Sequence, residues 1–183
     1  MLDKRLTEQR NPRSREIDRL APLEIVDLMN AEDRTVAEAV GRERESLARA
    51  IELAVEAFRA GGRLFYVGAG TSGRLGVLDA AEMPPTFGTD PEMVQGIIAG
   101  GYGALVRARE GAEDSPEEGA RALEERGVGP LDFVLGIATS GSTPFVHGAL
   151  ARAGEIGART GFILCTPPDA EVTERYDVVI VDE

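Results

Sequence analysis

Residues Leu64-Phe65-Tyr66-Val67-Gly68-Ala69-Gly70-Thr71-Ser72-Gly73-Arg74 carry a strand-like apolar run straight into a glycine-rich, hydroxyl-bearing turn that opens a helix. A strand with no polar face, handed over to a helix within so few residues, points to a layered α/β sheet. The turn also has the chemistry of an anion cradle. Glycines let backbone N–H groups approach an anion, the helix N-terminus adds partial positive charge, and Thr71 and Ser72 are neutral donors. A second turn of this kind, Ile137-Ala138-Thr139-Ser140-Gly141-Ser142-Thr143-Pro144, again leads from an apolar strand into a helix. Two such loops on neighbouring parallel strands converge at one sheet edge, where open α/β folds bind ligands.

The hydrophobic period changes once along the chain. Residues 1 to about 19 are polar, contain Pro12 and read as an extended arm. From Pro22 to Ala60 the pattern is helical, with apolar faces at Leu23, Ile25, Val26 and Met29, at Val36 and Val40, and at Leu47, Ile51, Leu53 and Phe58. Gly61-Gly62 stops that run. Strands are then predicted at 63–68, 93–99, 132–138, 160–165 and 177–181, alternating with helices near 72–82, 101–113, 116–126 and 143–156. The expected fold class is a doubly wound α/β domain over 61–183, with a mainly parallel five-stranded sheet, behind an N-terminal arm and helical region over 1–60. The last strand candidate ends just before Asp182-Glu183, so one sheet face is expected to be incompletely covered.

Composition narrows the ligand classes. The 183 residues carry a formal charge of −12, so no long-range field gathers nucleic acid or an anionic membrane surface. An anion must be held locally, by loops and helix ends. Cys165 is the sole cysteine, which excludes an internal disulfide; a buried, inert thiol is expected. The charged start, Met1-Leu2-Asp3-Lys4-Arg5-Leu6, lacks a signal-peptide core, and no run approaches the ~18 apolar residues of a membrane span. A cytoplasmic location is the expectation.

Gly68-Ala69-Gly70-Thr71-Ser72-Gly73 also fits GxGxxG, a weak pattern by itself. A dinucleotide site wants a carboxylate at the end of the next strand to hold a ribose, whereas Met93–Ala99 runs into Gly100-Gly101-Tyr102. The plain alternative is that these glycines only make tight turns, but Thr71, Ser72, Ser140, Ser142 and Thr143 add donors that a turn does not require. Glu82, before Pro84-Pro85, is expected to end its helix facing the first loop's cleft, the prolines stopping the helix. Glu113 falls in Glu110-Gly111-Ala112-Glu113-Asp114. Composition alone does not distinguish these two from the other 30 acidic residues. His147, the one histidine, is expected on the second loop's helix, at the surface or just behind the site rather than acting as a base.

Together these stretches, with Asn30-Ala31-Glu32-Asp33, Gly62-Arg63-Leu64, Met83-Pro84-Pro85-Thr86-Phe87-Gly88 and Ile98-Ala99-Gly100-Gly101, resemble the N-acetylmuramic acid 6-phosphate etherases of the sugar isomerase (SIS) domain superfamily. The resemblance runs over nearly the whole chain, from Thr7-Glu8 and Asn11-Pro12 onward. It implies an SIS-type sheet and cleavage of the lactyl ether at carbon 3 of the amino sugar, giving N-acetylglucosamine 6-phosphate and D-lactate. It also implies Glu82 and Glu113 as the acid/base pair, with Glu82 the proton donor and the order of roles open. The 6-phosphate is expected on Gly70, Thr71, Ser72, Gly73, Ser140, Gly141, Ser142 and Thr143. No metal and no organic cofactor are implied, and a homodimer is expected.

This chain departs from the family's usual Ala-Ser-Gly-Arg-Thr-Pro in the second loop, Ser142 standing in place of the cation. Family members also continue well beyond this length, with a Gly- and Ser/Thr-rich, Lys-bearing segment, so the α/β domain is expected to be incomplete at its C-terminus. Other readings stay open: a non-catalytic phosphosugar sensor or an inactive fragment, and an aldose–ketose isomerase that shares the carbon 2 deprotonation.

Overall fold

The structure, a computed structural model, describes residues 7, 9–168 and 170–182. The expected arm at 1–6, with Glu8, and the terminal Glu183 lie outside the described residues. The rest of the arm is folded rather than extended. Asn11 caps a 3-10 turn at Pro12–Ser14, a second turn spans Ile17–Arg19, and Asn11 and Arg13 both bind Glu32. Helix α1 (Pro22–Arg42) begins with a proline at its first position and gives way at Glu43 to α2 (Arg44–Arg59). The apolar face expected at Leu23, Val26 and Met29 is left in the open, because α1 has no buried residue. α2 places Ala50, Leu53 and Ala57 on one stripe and packs it onto the sheet.

Five parallel strands follow in the order β2-β1-β3-β4-β5: β1 (Leu64–Gly68), β2 (Val94–Ile98), β3 (Phe133–Ile137), β4 (Arg159–Leu164) and β5 (Val178–Val181). Each lies within a residue or two of its predicted place. α2 and α3 (Gly70–Phe87) cover one face, with Leu53, Leu64, Ala80, Phe133 and Ile180 in the core between them. α5 (Pro116–Glu125) and α6 (Pro144–Ile156) cover the other, over Phe65, Val67, Val134 and Phe162. Near-continuous apolar strands are what a sheet sandwiched in this way requires.

α5 and α6 cross at contact distance because two glycines remove the side chains in the way. A Cβ on Gly119 would stand 1.9 Å from the Phe145 carbonyl oxygen, and one on Gly148 1.9 Å from that of Pro116. Backbone cannot step aside as a side-chain tip can, so this crossing fixes the chain just after Glu113 against α6.

Two helix expectations need correcting, and one helix was not foreseen. The prolines do not end α3, which runs on to Gly88 at φ +67°. Proline's own φ is helical, and the N–H bonds that Pro84 and Pro85 lack would have reached only Ala80 and Ala81 near the end of the helix. In 101–113 only α4 (Gly103–Val106) is helical, since Gly100, Gly101 and Gly111 all take positive φ. A short helix not expected from the sequence, α7 (Ala170–Arg175), precedes β5.

At the amino ends of the strands, aspartates tie neighbours together. Buried Asp132 accepts from the Arg63 backbone N–H and guanidinium and from the Gly129 N–H. Asp177 accepts from Arg159 and from the N–H and hydroxyl of Thr160. Burial opposes the Asp177 charge, but those donors outweigh it and hold the carboxyl below its ordinary range.

Candidate phosphosugar site

The three glycines of the first loop have separate jobs. Gly70 takes φ +53°, which turns the chain into α3. Gly68 and Gly73 exclude each other's side chains: a Cβ on Gly68 would lie 2.6 Å from the Gly73 nitrogen, and one on Gly73 2.7 Å from the Gly68 oxygen. The end of β1 is thereby pressed against the first turn of α3. The helix begins at Ala69, which offers no side-chain cap. Helix α6 likewise begins at Thr143 without a side-chain cap. The two helix N-termini flank the carboxyl ends of β1 and β3, and they differ: the first N–H groups of α3 face an incoming acceptor, whereas in α6 Pro144 has no N–H and those of Phe145, Val146 and His147 are bonded to the carbonyls of Glu113 and Thr143.

Between them is a cavity of about 710 Å³, lined among others by Gly70, Thr71, Ser72, Ser140, Ser142 and Thr143. Glu113 lines it as well. Its placement follows from the backbone: the Phe145 N–H in the first turn of α6 donates to the Glu113 carbonyl at 3.0 Å. A smaller hollow of about 170 Å³ continues past Gly70 and Glu113 to Arg74 and Arg109. Ser140 and Ser142 hydroxyls lie 3.0 Å apart, and the Ser142 N–H also reaches Ser140 Oγ at 3.3 Å. In this strand order the sheet reverses direction of winding between β1 and β3, and the cavity sits at that switch point.

Not every predicted residue meets there. Gly73 is buried behind the loop, and Gly141, at φ +68°, faces the neighbouring hollow against Leu164 and Thr166. Glu82 does not line the cavity, contrary to the expectation that it faces the loop's cleft. It is exposed, twelve residues along α3 from Gly70, a separation of about 18 Å at the helical rise. It continues the exposed stripe of Leu75 and Leu78.

Arg74 escaped the sequence reading, although it stands in the first turn after the cradle. Its guanidinium donates to the Ala104 carbonyl at 2.6 Å and to that of Leu105 at 3.0 Å, and Arg109 donates to Gly100. These bonds fold the 100–113 segment back towards the loops and so bring Glu113 to the cavity. Cys165 is half-buried rather than buried. Burial, then the nearby Asp182 charge, pushes its thiol up and keeps it protonated. His147 is half-buried behind the second loop.

A parallel β2-β1-β3-β4-β5 sheet with two hydroxyl-rich loops at its switch point defines an SIS-type α/β protein. The sequence model of the glucokinase regulatory protein N-terminal SIS domain matches residues 46–154, and the chain belongs to this SIS family. The phosphoheptose isomerase from Neisseria gonorrhoeae has the same fold, with a TM-score of 0.63 at 18% identity over 88% of this chain and 87% of that one.

The curated relatives that the chain resembles are N-acetylmuramic acid 6-phosphate etherases. The chain is 60% identical to that of Synechococcus elongatus over 96% of its own length and 57% of the relative's. Against that of Picosynechococcus sp. it is 58% identical, over 90% and 54%. The chain thus spans about half the length of the curated relatives it matches.

Proposed function

We propose that this chain carries the phosphosugar-binding part of an N-acetylmuramic acid 6-phosphate etherase and that its substrate is that sugar phosphate. The observation that carries the reading is the single cavity in which both uncapped, hydroxyl-bearing loops meet Glu113. The loop N–H groups and the hydroxyls of Ser72 and Ser140 hold the 6-phosphate, which positions the open-chain sugar. One carboxylate removes the carbon 2 proton, made acidic by the aldehyde, and the carbon 3–oxygen bond breaks. A second carboxyl gives its proton to the departing oxygen, releasing D-lactate, and water adds to the unsaturated aldehyde to give N-acetylglucosamine 6-phosphate. Glu113 and Glu82 are the two carboxyls.

The separation of Glu82 from Gly70 calls for a second copy of the chain. Leu75, Leu78 and Phe87 on α3, and Leu23, Val26 and Val36 on α1, are exposed apolar residues that a homodimer would cover. A partner seated on the α3 stripe would enclose Glu82 and assemble the acid/base pair at the interface. The reading places the protein in the cytoplasm, in recycling of cell-wall amino sugar.

The test is incubation of the purified chain with N-acetylmuramic acid 6-phosphate and assay of D-lactate, beside Glu82→Gln and Glu113→Gln. Lactate from the parent and none from either variant is the expected result. Sugar phosphate bound without lactate would leave a binding domain whose chemistry needs residues outside this chain.

A further inference from the structure

His147 makes two bonds that no part of the proposed chemistry uses. It stands on the first turn of α6, with Nε2 2.8 Å from the Gly141 carbonyl oxygen and Nδ1 3.2 Å from the Tyr176 hydroxyl. The ring is also held edge-on against Phe162, at 5.5 Å, and Phe162 in turn against Tyr176. A carbonyl can only accept, so Nε2 must carry the proton. In the Nε2–H tautomer Nδ1 is then left to accept from Tyr176, whose phenol burial pushes up and keeps protonated.

The consequence falls on the second loop. Across a trans peptide the C=O and the following N–H point in opposite directions. Holding the Gly141 carbonyl towards His147 therefore turns the Ser142 N–H the other way, to Ser140 Oγ, a hydroxyl that lines the cavity. Gly141 is at φ +68°, where glycine has several competing conformations, so the loop needs an outside restraint to keep this one.

We infer that His147, fixed as the Nε2–H tautomer between Tyr176 and the Gly141 carbonyl, is a positioning residue that presets the Ser140–Ser142 loop for a phosphate. The inference rests on the reading of that loop as part of the sugar-phosphate site. His147 touches neither the cavity nor the reacting carbons; it acts through the Gly141–Ser142 peptide.

The chain holds one histidine, so its ring nitrogens give a single set of correlations in an ¹⁵N-labelled sample. The expected spectrum of the full chain has Nε2 protonated and Nδ1 accepting, and addition of N-acetylglucosamine 6-phosphate shifts both signals without exchanging the tautomer. His147→Leu removes the donor and lowers affinity for that sugar phosphate about fivefold, the size of one net hydrogen bond. His147→Gln presents an amide N–H from the same direction and restores most of the loss. An Nδ1–H or averaging imidazole overturns the inference whatever the variants do, and so does equal affinity of the leucine variant and the parent. If the parent binds no sugar phosphate, the loop's assignment fails first and this inference with it; a parent that binds beside an unaffected leucine variant sinks the inference alone.

Discussion

At the amino ends of the strands, the side chains of Asp132 and Asp177 are matched to donors at the starts of the neighbouring strands and in the turn before β3. At the carboxyl ends of β1 and β3, two helices start without side-chain caps and serine and threonine hydroxyls face a cavity. The same five strands thus end in a closed polar network on one side and an open set of donors on the other. The Asp132 and Asp177 carboxylates find their donors within the fold and contribute stability, whereas at the open end the first N–H groups of α3 and the loop hydroxyls border a cavity where a ligand can accept from them. Stability and recognition are separated along the strand direction by a single strand length.

That separation can be broken most severely at Asp132. Asp132→Ala leaves the Arg63 guanidinium and two backbone N–H groups short of an acceptor, and should cost about 3 kcal/mol or more in a urea titration. Sugar-phosphate affinity of the remaining folded protein should be unchanged; a matching fall in affinity would show that the two ends are not independent.

The reverse experiment acts on the open end. Ser72→Ala with Ser140→Ala should weaken binding of N-acetylglucosamine 6-phosphate about tenfold while moving stability by no more than about 0.5 kcal/mol. Calorimetric binding beside a denaturation curve checks both halves. A milder gain is expected from Ser142→Arg, which places a cation on the cavity wall where the family usually has one. Affinity should rise about fivefold, and the gain should fade as salt is raised.

The smallest effect concerns pH. Asp177 has a folded pKa below its unfolded value, so its contribution to stability is present above the unfolded pKa and disappears as the pH falls through the folded one. Asp177→Asn should therefore flatten the stability curve on the acid side of about pH 4 and leave ligand affinity at pH 7 alone. An unchanged acid limb would remove Asp177 from the closed network's account of stability.

Much of this division was legible in the residues. Glycine carries a strong signal wherever backbone must turn or approach closely, so Gly68, Gly70 and Gly73 marked the first loop, and five apolar runs marked the sheet. Glu113 was another matter. Nothing in an acidic chain distinguishes one glutamate from its neighbours, and only the resemblance to the etherases singled it out. Its place by the loops depends on the Phe145 N–H and on Arg74 gripping the carbonyls of α4, which are contacts between residues far apart in sequence.

His147 was underestimated for the same reason. Helical spacing says which face of α6 it occupies, but not that Tyr176, 29 residues on, comes back beside it. The stretch 101–113 misled in the opposite way, since its apolar residues kept a helical rhythm that Gly100, Gly101 and Gly111 interrupt.

The glycine crossing of α5 and α6 has a consequence for inheritance. Any missense change at the codon for Gly119 or Gly148 adds at least a Cβ, and at 1.9 Å from a carbonyl oxygen even alanine has no room. These two positions therefore have no tolerated near neighbours in the genetic code. A lineage can drift at Ser142, at the edge of the cavity, while the point where two helices touch without side chains stays closed to it.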